Sequence, residues 1–98
     1  MNYEGTLLHR IRRLSDGKLG GWIEKEENLS QDGDCWVDDN AIVCDNAKVY
    51  GNTYVGNNAK IYDWAQIYGD AKIFGDTWIY GKAKVYNDTQ ILNARINN

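Results

Sequence analysis

Valine and isoleucine recur along this chain at one spacing. Val37, Val43, Val49, Val55, Ile61, Ile67, Ile73, Ile79, Val85 and Ile91 are ten successive β-branched residues set six apart. Two positions before each stands a small side chain: Cys35, Ala41, Ala47, Thr53, Ala59, Ala65, Ala71, Thr77, Ala83 and Thr89. Small-x-aliphatic is a period-two pattern, so the two named side chains share one face of a short strand and the residue between them takes the other. A helix would need apolar residues three and four apart, which a strict spacing of six forbids.

Two residues after the aliphatic position come Asp39, Asp45, Gly51, Asn57, Asp63, Gly69, Gly75, Gly81 and Asn87. Gly, Asn and Asp accept a left-handed backbone at the least cost, so the pattern predicts a corner every six residues. Strands this short, joined by regular corners, cannot pair as hairpins. They close into a parallel solenoid, three hexads to a triangular coil, with neighbouring coils about 4.8 Å apart. The chain contains no proline, as suits a stacked ladder that needs its backbone N–H groups.

The ends depart from the grid. On it, Ile23 and Leu29 fall at small-residue positions while Lys25 and Gln31 stand where Val or Ile belongs. Before them, "TLLHRIRRL" reads as a strand, "SDGK" as a turn and "LGGWI" as the returning strand, with Trp22 as a plug for the open end. At the other end Ala94 and Ile96 come one residue early. That slip predicts a last strand that is frayed, bent across the end, or used in an interface. The expected organisation is one domain, 1–98, with a capping arm (1–23), a β-helix (24–92) of about three to four coils and an irregular end (93–98).

Stacking at one coil's length also predicts which outward side chains line up. Tyr50, Tyr68 and Tyr86 form one corner column, and Cys44, Tyr62 and Tyr80 another. On the flats, Trp36, Tyr54 and Lys72 make one rank, Ile42, Lys60 and Trp78 a second, and Lys48, Gln66 and Lys84 a third. Tyr and Trp concentrate at interaction hot spots, which makes Trp36, Tyr54 and Trp78 candidate partner-binding residues. Tyr50, Tyr68, Tyr86 and Ile96 are candidates for self-association, because bare strand edges invite a second chain.

An aliphatic residue followed four positions later by a small one, as in Val37/Ala41, Ile61/Ala65 and Ile79/Ala83, resembles the left-handed β-helix hexapeptide-repeat proteins. The resemblance implies an all-β, single-stranded, left-handed parallel β-helix. One departure is the aromatic after the aliphatic position, at Tyr50, Tyr62, Tyr68, Phe74, Tyr80 and Tyr86. More narrowly, "LGGWIEKEENLSQDGDCWVDDNAIV" is similar to small hexapeptide proteins of phages and prophages. Many hexapeptide β-helices are acyltransferases, relying on a histidine as general base and on a loop that interrupts the coil to build an acyl-donor cleft between subunits. Here the one histidine is His9, outside the hexads, and no insertion breaks them. The carbonic-anhydrase version of the fold needs three histidines for zinc, so neither cofactor nor metal is expected.

Composition and charge narrow the reading. The chain is 43% hydrophobic with a net charge of −3, and no apolar run approaches the ~20 residues that span a bilayer. Without a signal-peptide pattern, a cytoplasmic protein off the membrane is expected. Cys35 and Cys44 then read as packing residues. Residues 24–45 hold eight acids against Lys25 alone. This acidic waist argues against nucleic acid, favours a basic protein partner, and adds Glu26, Glu27, Asp38 and Asp39 to the partner-binding candidates. The function expected from these observations is a non-enzymatic interaction protein of phage type, binding a host or virion macromolecule, such as an inhibitor of a host defence protein. The alternatives are a structural part of a virion or filament, and a degenerate hexapeptide acyltransferase-like protein.

Overall fold

The computed structural model describes residues 2–3, 5–13, 16–30 and 33–97. Glu4, Ser15 of the "SDGK" turn, Gln31 of the hexad grid and Asp32 of the acidic waist lie outside the described residues. In chain order the strands are β1 (Asn2–Tyr3), β2 (Thr6–Leu7), β3 (His9–Arg12), β4 (Leu19–Ile23), β5 (Trp36–Val37), β6 (Ile42–Val43), β7 (Lys48–Val49), β8 (Tyr54–Val55), β9 (Lys60–Ile61), β10 (Gln66–Ile67), β11 (Lys72–Phe74), β12 (Trp78–Tyr80), β13 (Lys84–Val85), β14 (Gln90–Leu92) and β15 (Arg95–Asn97). A single 3₁₀ turn, Glu26–Asn28, stands among the described residues, which include no α-helix.

The hexads wind into an all-β parallel solenoid of about four turns with three faces. β7, β10 and β13 form the first face, β5, β8, β11 and β14 the second, and β6, β9, β12 and β15 the third. Within the hexads each strand pairs with the one a full coil later, as Ile67 does with Val49 and Val85. The aliphatic residues therefore stack in three inward columns, and Val37, Val43, Val55, Ile61, Ile67, Ile73 and Ile79 are wholly buried. Ala41, Ala47, Ala59, Ala65, Ala71, Thr53 and Thr77 fill the corners beside them. Repetition gives a short chain one continuous core, because every strand buries the same alternating pair against its neighbours.

All nine expected corner residues adopt the left-handed backbone, with φ between 55° and 77°. At Asp39, Asp45, Asn57 and Asp63 the corner side chain ties one coil to the next. Asp45 accepts a hydrogen bond from the Asp63 N–H at 3.2 Å, and Asp63 one from the Gly81 N–H at 3.0 Å. On the next corner Asp39 accepts from Asn57 and Asn57 from Gly75.

Both ends hold register by changing the length of a corner, which the strict grid does not anticipate. Ile23 pairs with Val43 and Leu29 with Val49, so both occupy aliphatic positions rather than small ones. The first coil is two residues longer than the rest, with the added length between Leu29 and Val37. Asn28 fixes this irregular turn from a buried site. Its side chain accepts from the N–H groups of Glu24 and Lys25 and donates to the carbonyls of Asp45 and Ala47. At the other end Trp78, Ile79 and Tyr80 pair with Arg95, Ile96 and Asn97. The early "NARI" is absorbed by a corner one residue shorter, at Asn93 (φ 56°), and the strand is paired rather than frayed.

β3 and β4 form an antiparallel hairpin, and β4 continues the third face by pairing in parallel with β6. Trp22 does not plug the solenoid. Its position beside Ile42 puts it on the outer side of that face, where it packs with Leu8, Ile42 and Cys44 and lies 5.4 Å under the Arg10 guanidinium. Ile11, Ile23 and Cys35 meet the end of the core instead. No helix among the described residues is long and apolar enough to cross a membrane.

Candidate functional site

The candidate residues fall into five groups, one of them Trp78 alone on β12 of the third face. Trp36 on β5 and Tyr54 on β8 are neighbours in register on the second face, with Asp38 and Asp39 at its edge. The Trp36 ring takes the Arg13 guanidinium at 4.9 Å, and its indole N–H is buried with no hydrogen-bond partner. Glu26 and Glu27 are exposed in the 3₁₀ turn ahead of the first face. Tyr50, Tyr68 and Tyr86 stack along one corner, with centroids 5.1 and 5.4 Å apart and nearly parallel rings. Ile96 packs inward against the core beneath Ile79.

Four acids of the waist, Glu24, Asp38, Asp39 and Asp45, accept hydrogen bonds within the chain. Asp38 is 8% exposed, accepts a hydrogen bond from the Tyr54 hydroxyl at 3.0 Å and pairs with Lys18 at 3.4 Å. Burial pushes its carboxyl up, but the Asp39 N–H, the Tyr54 hydroxyl and the Lys18 ammonium outweigh that and hold it below the ordinary value. Tyr54 is pushed up to about 12, first by burial and then by the Asp38 carboxylate.

The two groups make stability pH-dependent at opposite ends. Asp38, lowered in the folded state, contributes stability that is present above the unfolded carboxylate value and lost as pH falls through the folded one. Tyr54, raised in the folded state, contributes stability that is present below its ordinary value of 10.0 and lost as pH rises towards about 12. Thermal melting across the alkaline range should show a larger loss in the parent than in Tyr54→Phe, which keeps only the loss from Tyr50, also raised by burial. The same variant should begin its acid unfolding at a higher pH, because Asp38 has lost a donor. Identical alkaline profiles for the two proteins would refute the assignment.

The third face carries the densest chemistry. Lys60, Trp78 and Arg95 stand in one rank, with the Lys60 ammonium 5.5 Å and the Arg95 guanidinium 4.4 Å from the Trp78 ring. Tyr62 meets Trp78 edge-on at 6.4 Å and stacks on Tyr80 at 5.2 Å. The N-terminal arm folds over this wall, and Leu8 is buried there.

Leu8 and Trp64 were not among the residues singled out by sequence. Leu8 belongs to no repeat and is placed by tertiary packing alone. Trp64 had a readable signal. Its corner position holds Asn40, Asn46, Asn52, Asn58, Asp70, Asp76, Lys82 and Asp88 elsewhere, and its side chain is 57% exposed. Among the described residues no cluster of three or more His, Cys, Asp or Glu side chains could hold a metal ion, and neither cysteine is in a disulfide.

No protein-family model matches the chain. Over 55 residues it is 40% identical to the uncharacterized acetyltransferase YdcK of Escherichia coli (strain K12), an alignment that covers 49% of this chain and 17% of that protein. The chain thus spans about a sixth of the relative's length. Together with the solenoid, this match fits a hexapeptide-repeat β-helix. It also corrects the functional expectation: the similarity runs to a protein named as an acetyltransferase, and not to a phage inhibitor or a non-enzymatic docking protein. Of the expected partner-binding acids, Asp38 sits in the Lys18–Tyr54 cluster and Asp39 in a corner ladder, while Asp45, outside that set, belongs to a second ladder.

Proposed function

We propose that this chain is an acyltransferase-like hexapeptide β-helix whose coils form one wall of an acyl-donor site. The observation that carries the reading is the 40% identity to a protein named as an acetyltransferase. The stacked parallel coils support it, since such enzymes build their acyl-donor cleft between coils of this kind; the loop that interrupts the coil in those enzymes has no counterpart within hexads 33–92. The remainder of a complete site would come from a second chain or from further sequence.

These enzymes use a histidine as general base, and within these 98 residues the one imidazole is His9. It lies exposed on β3, paired with Ile23 across the hairpin. A base supplied by this chain is therefore His9, at the end of the solenoid where the arm begins.

Calorimetric titration with acetyl-CoA tests the reading, together with an assay for the thiol released on transfer to a simple amine. Saturable binding is expected. His9→Asn should leave that binding unchanged while the transfer rate falls by about a hundredfold, the contribution typical of a positioned general base. Absence of acetyl-CoA binding would overturn the reading. Binding with an unchanged transfer rate in His9→Asn would retain the site and remove His9 as its base.

A further inference from the structure

Between the third face and the N-terminal arm lies a cavity of about 300 Å³. Its inner wall is apolar and aromatic, built from Ile42 on β6, Tyr62 just after β9 and Trp78 on β12. Thr6 on β2 forms the opposite lip. Leu8, two residues on, is only 2% exposed against Ile42 and Cys44, so the arm is fastened in place and the cavity is a standing feature of the fold. Trp78 is held as well, with the Lys60 ammonium 5.5 Å and the Arg95 guanidinium 4.4 Å from its ring.

Two opposite charges border this wall, the Lys60 ammonium and the Asp45 carboxylate. One Asp45 oxygen is held by the Asp63 N–H, which orients the group at its corner. A simple anion entering the cavity meets Lys60 favourably but is repelled by Asp45, and a simple cation meets the reverse. A ligand carrying both charges satisfies both, while its apolar part covers the aromatic wall. The volume is at the small end for ligand pockets, which suits a single amino acid and not a nucleotide-sized molecule.

We propose that this cavity binds a free α-amino acid with an aromatic side chain, its carboxylate on Lys60, its ammonium on Asp45 and its ring against Tyr62 and Trp78. The site is separate from the acyl-donor reading and does not depend on it.

Titration of the full chain with L-phenylalanine, followed by ¹H–¹⁵N NMR, tests the proposal. Saturable shifts are expected at the Trp78 indole N–H and at the Cys44 and Tyr62 amides. Phenethylamine and 3-phenylpropionate, each lacking one charge, should bind at least about tenfold more weakly, the loss of one charge-assisted contact. Lys60→Gln should lose the preference over phenethylamine, and Asp45→Asn the preference over 3-phenylpropionate. Asparagine tolerates the left-handed corner and still accepts the Asp63 N–H, so Asp45→Asn is expected to fold. The proposal fails if L-phenylalanine moves none of these signals at millimolar concentration. It also fails if the single-charge analogues bind equally well, or if both variants keep the parent's affinity and preference. Acetyl-CoA is absent from this titration, so its outcome is independent of the acyl-donor test.

Discussion

Ile67→Ala is expected to lower the melting temperature by roughly 15–20 °C, the largest effect of any single truncation considered for this fold. Ile67 is wholly buried in a central coil, with Val49 on one side of it and Val85 on the other. Removing its side chain leaves a cavity that the neighbouring coils cannot close, because their own side chains are held in register by backbone ladders. Truncations of this kind cost about 2–5 kcal/mol, against about 5–15 kcal/mol of total stability for a small domain. Ile96→Ala makes the contrast. Ile96 packs against the core only from the last coil and is partly buried, so its loss should cost less than half as much. Thermal unfolding followed by circular dichroism compares the two, and equal shifts would mean that the core is not one continuous stack.

The second large effect is at Gly69. Gly69 and Gly17 share nearly the same backbone, with φ of 74° and 73°. A Cβ added at Gly17 meets open space, whereas one at Gly69 would lie 2.6 Å from the Asn87 nitrogen in the next coil. Gly17→Ala should therefore cost only the left-handed strain of a side chain, about 1 kcal/mol. Gly69→Ala adds a collision with backbone that cannot swing aside, and the total should reach about 3 kcal/mol. The pair separates conformational strain from close approach of the chain. Chemical denaturation midpoints within error of each other would show that the corner column can spread.

The hexad pattern carried the faces, the inward columns and all the interior corners, because each depends on a local choice repeated many times. The alternation of Ala47 and Val49, or of Ala65 and Ile67, is enough to orient a strand. The failures lie where one event has no repeat behind it. Ile23 and Leu29 took aliphatic positions because Asn28 and strand pairing set the first coil, which no extrapolated grid can see. Leu8 found its place on the outside of the third face through packing with residues far along the chain.

The candidate site was legible in part. The ranks Lys60–Trp78 and Tyr62–Tyr80 follow from the period and are present. The hydrogen bonds of the waist were not legible, since at a left-handed corner an Asp side chain such as Asp39 or Asp45 is positioned to accept an N–H from the next coil. Counting charges along the chain does not reveal which of them already have backbone partners.

The two terminal coils show that chain length in this solenoid is negotiable at the corners and nowhere else. One coil gains two residues, another loses one, and the strands on either side remain in step. The flats thus act as a ruler, holding outward side chains at fixed rungs, while the corners serve as splice points. A foreign peptide grafted at the exposed Asn46 or Lys82 corner would be displayed at a known height on a known edge, whereas the same graft within a strand would displace every rung above it.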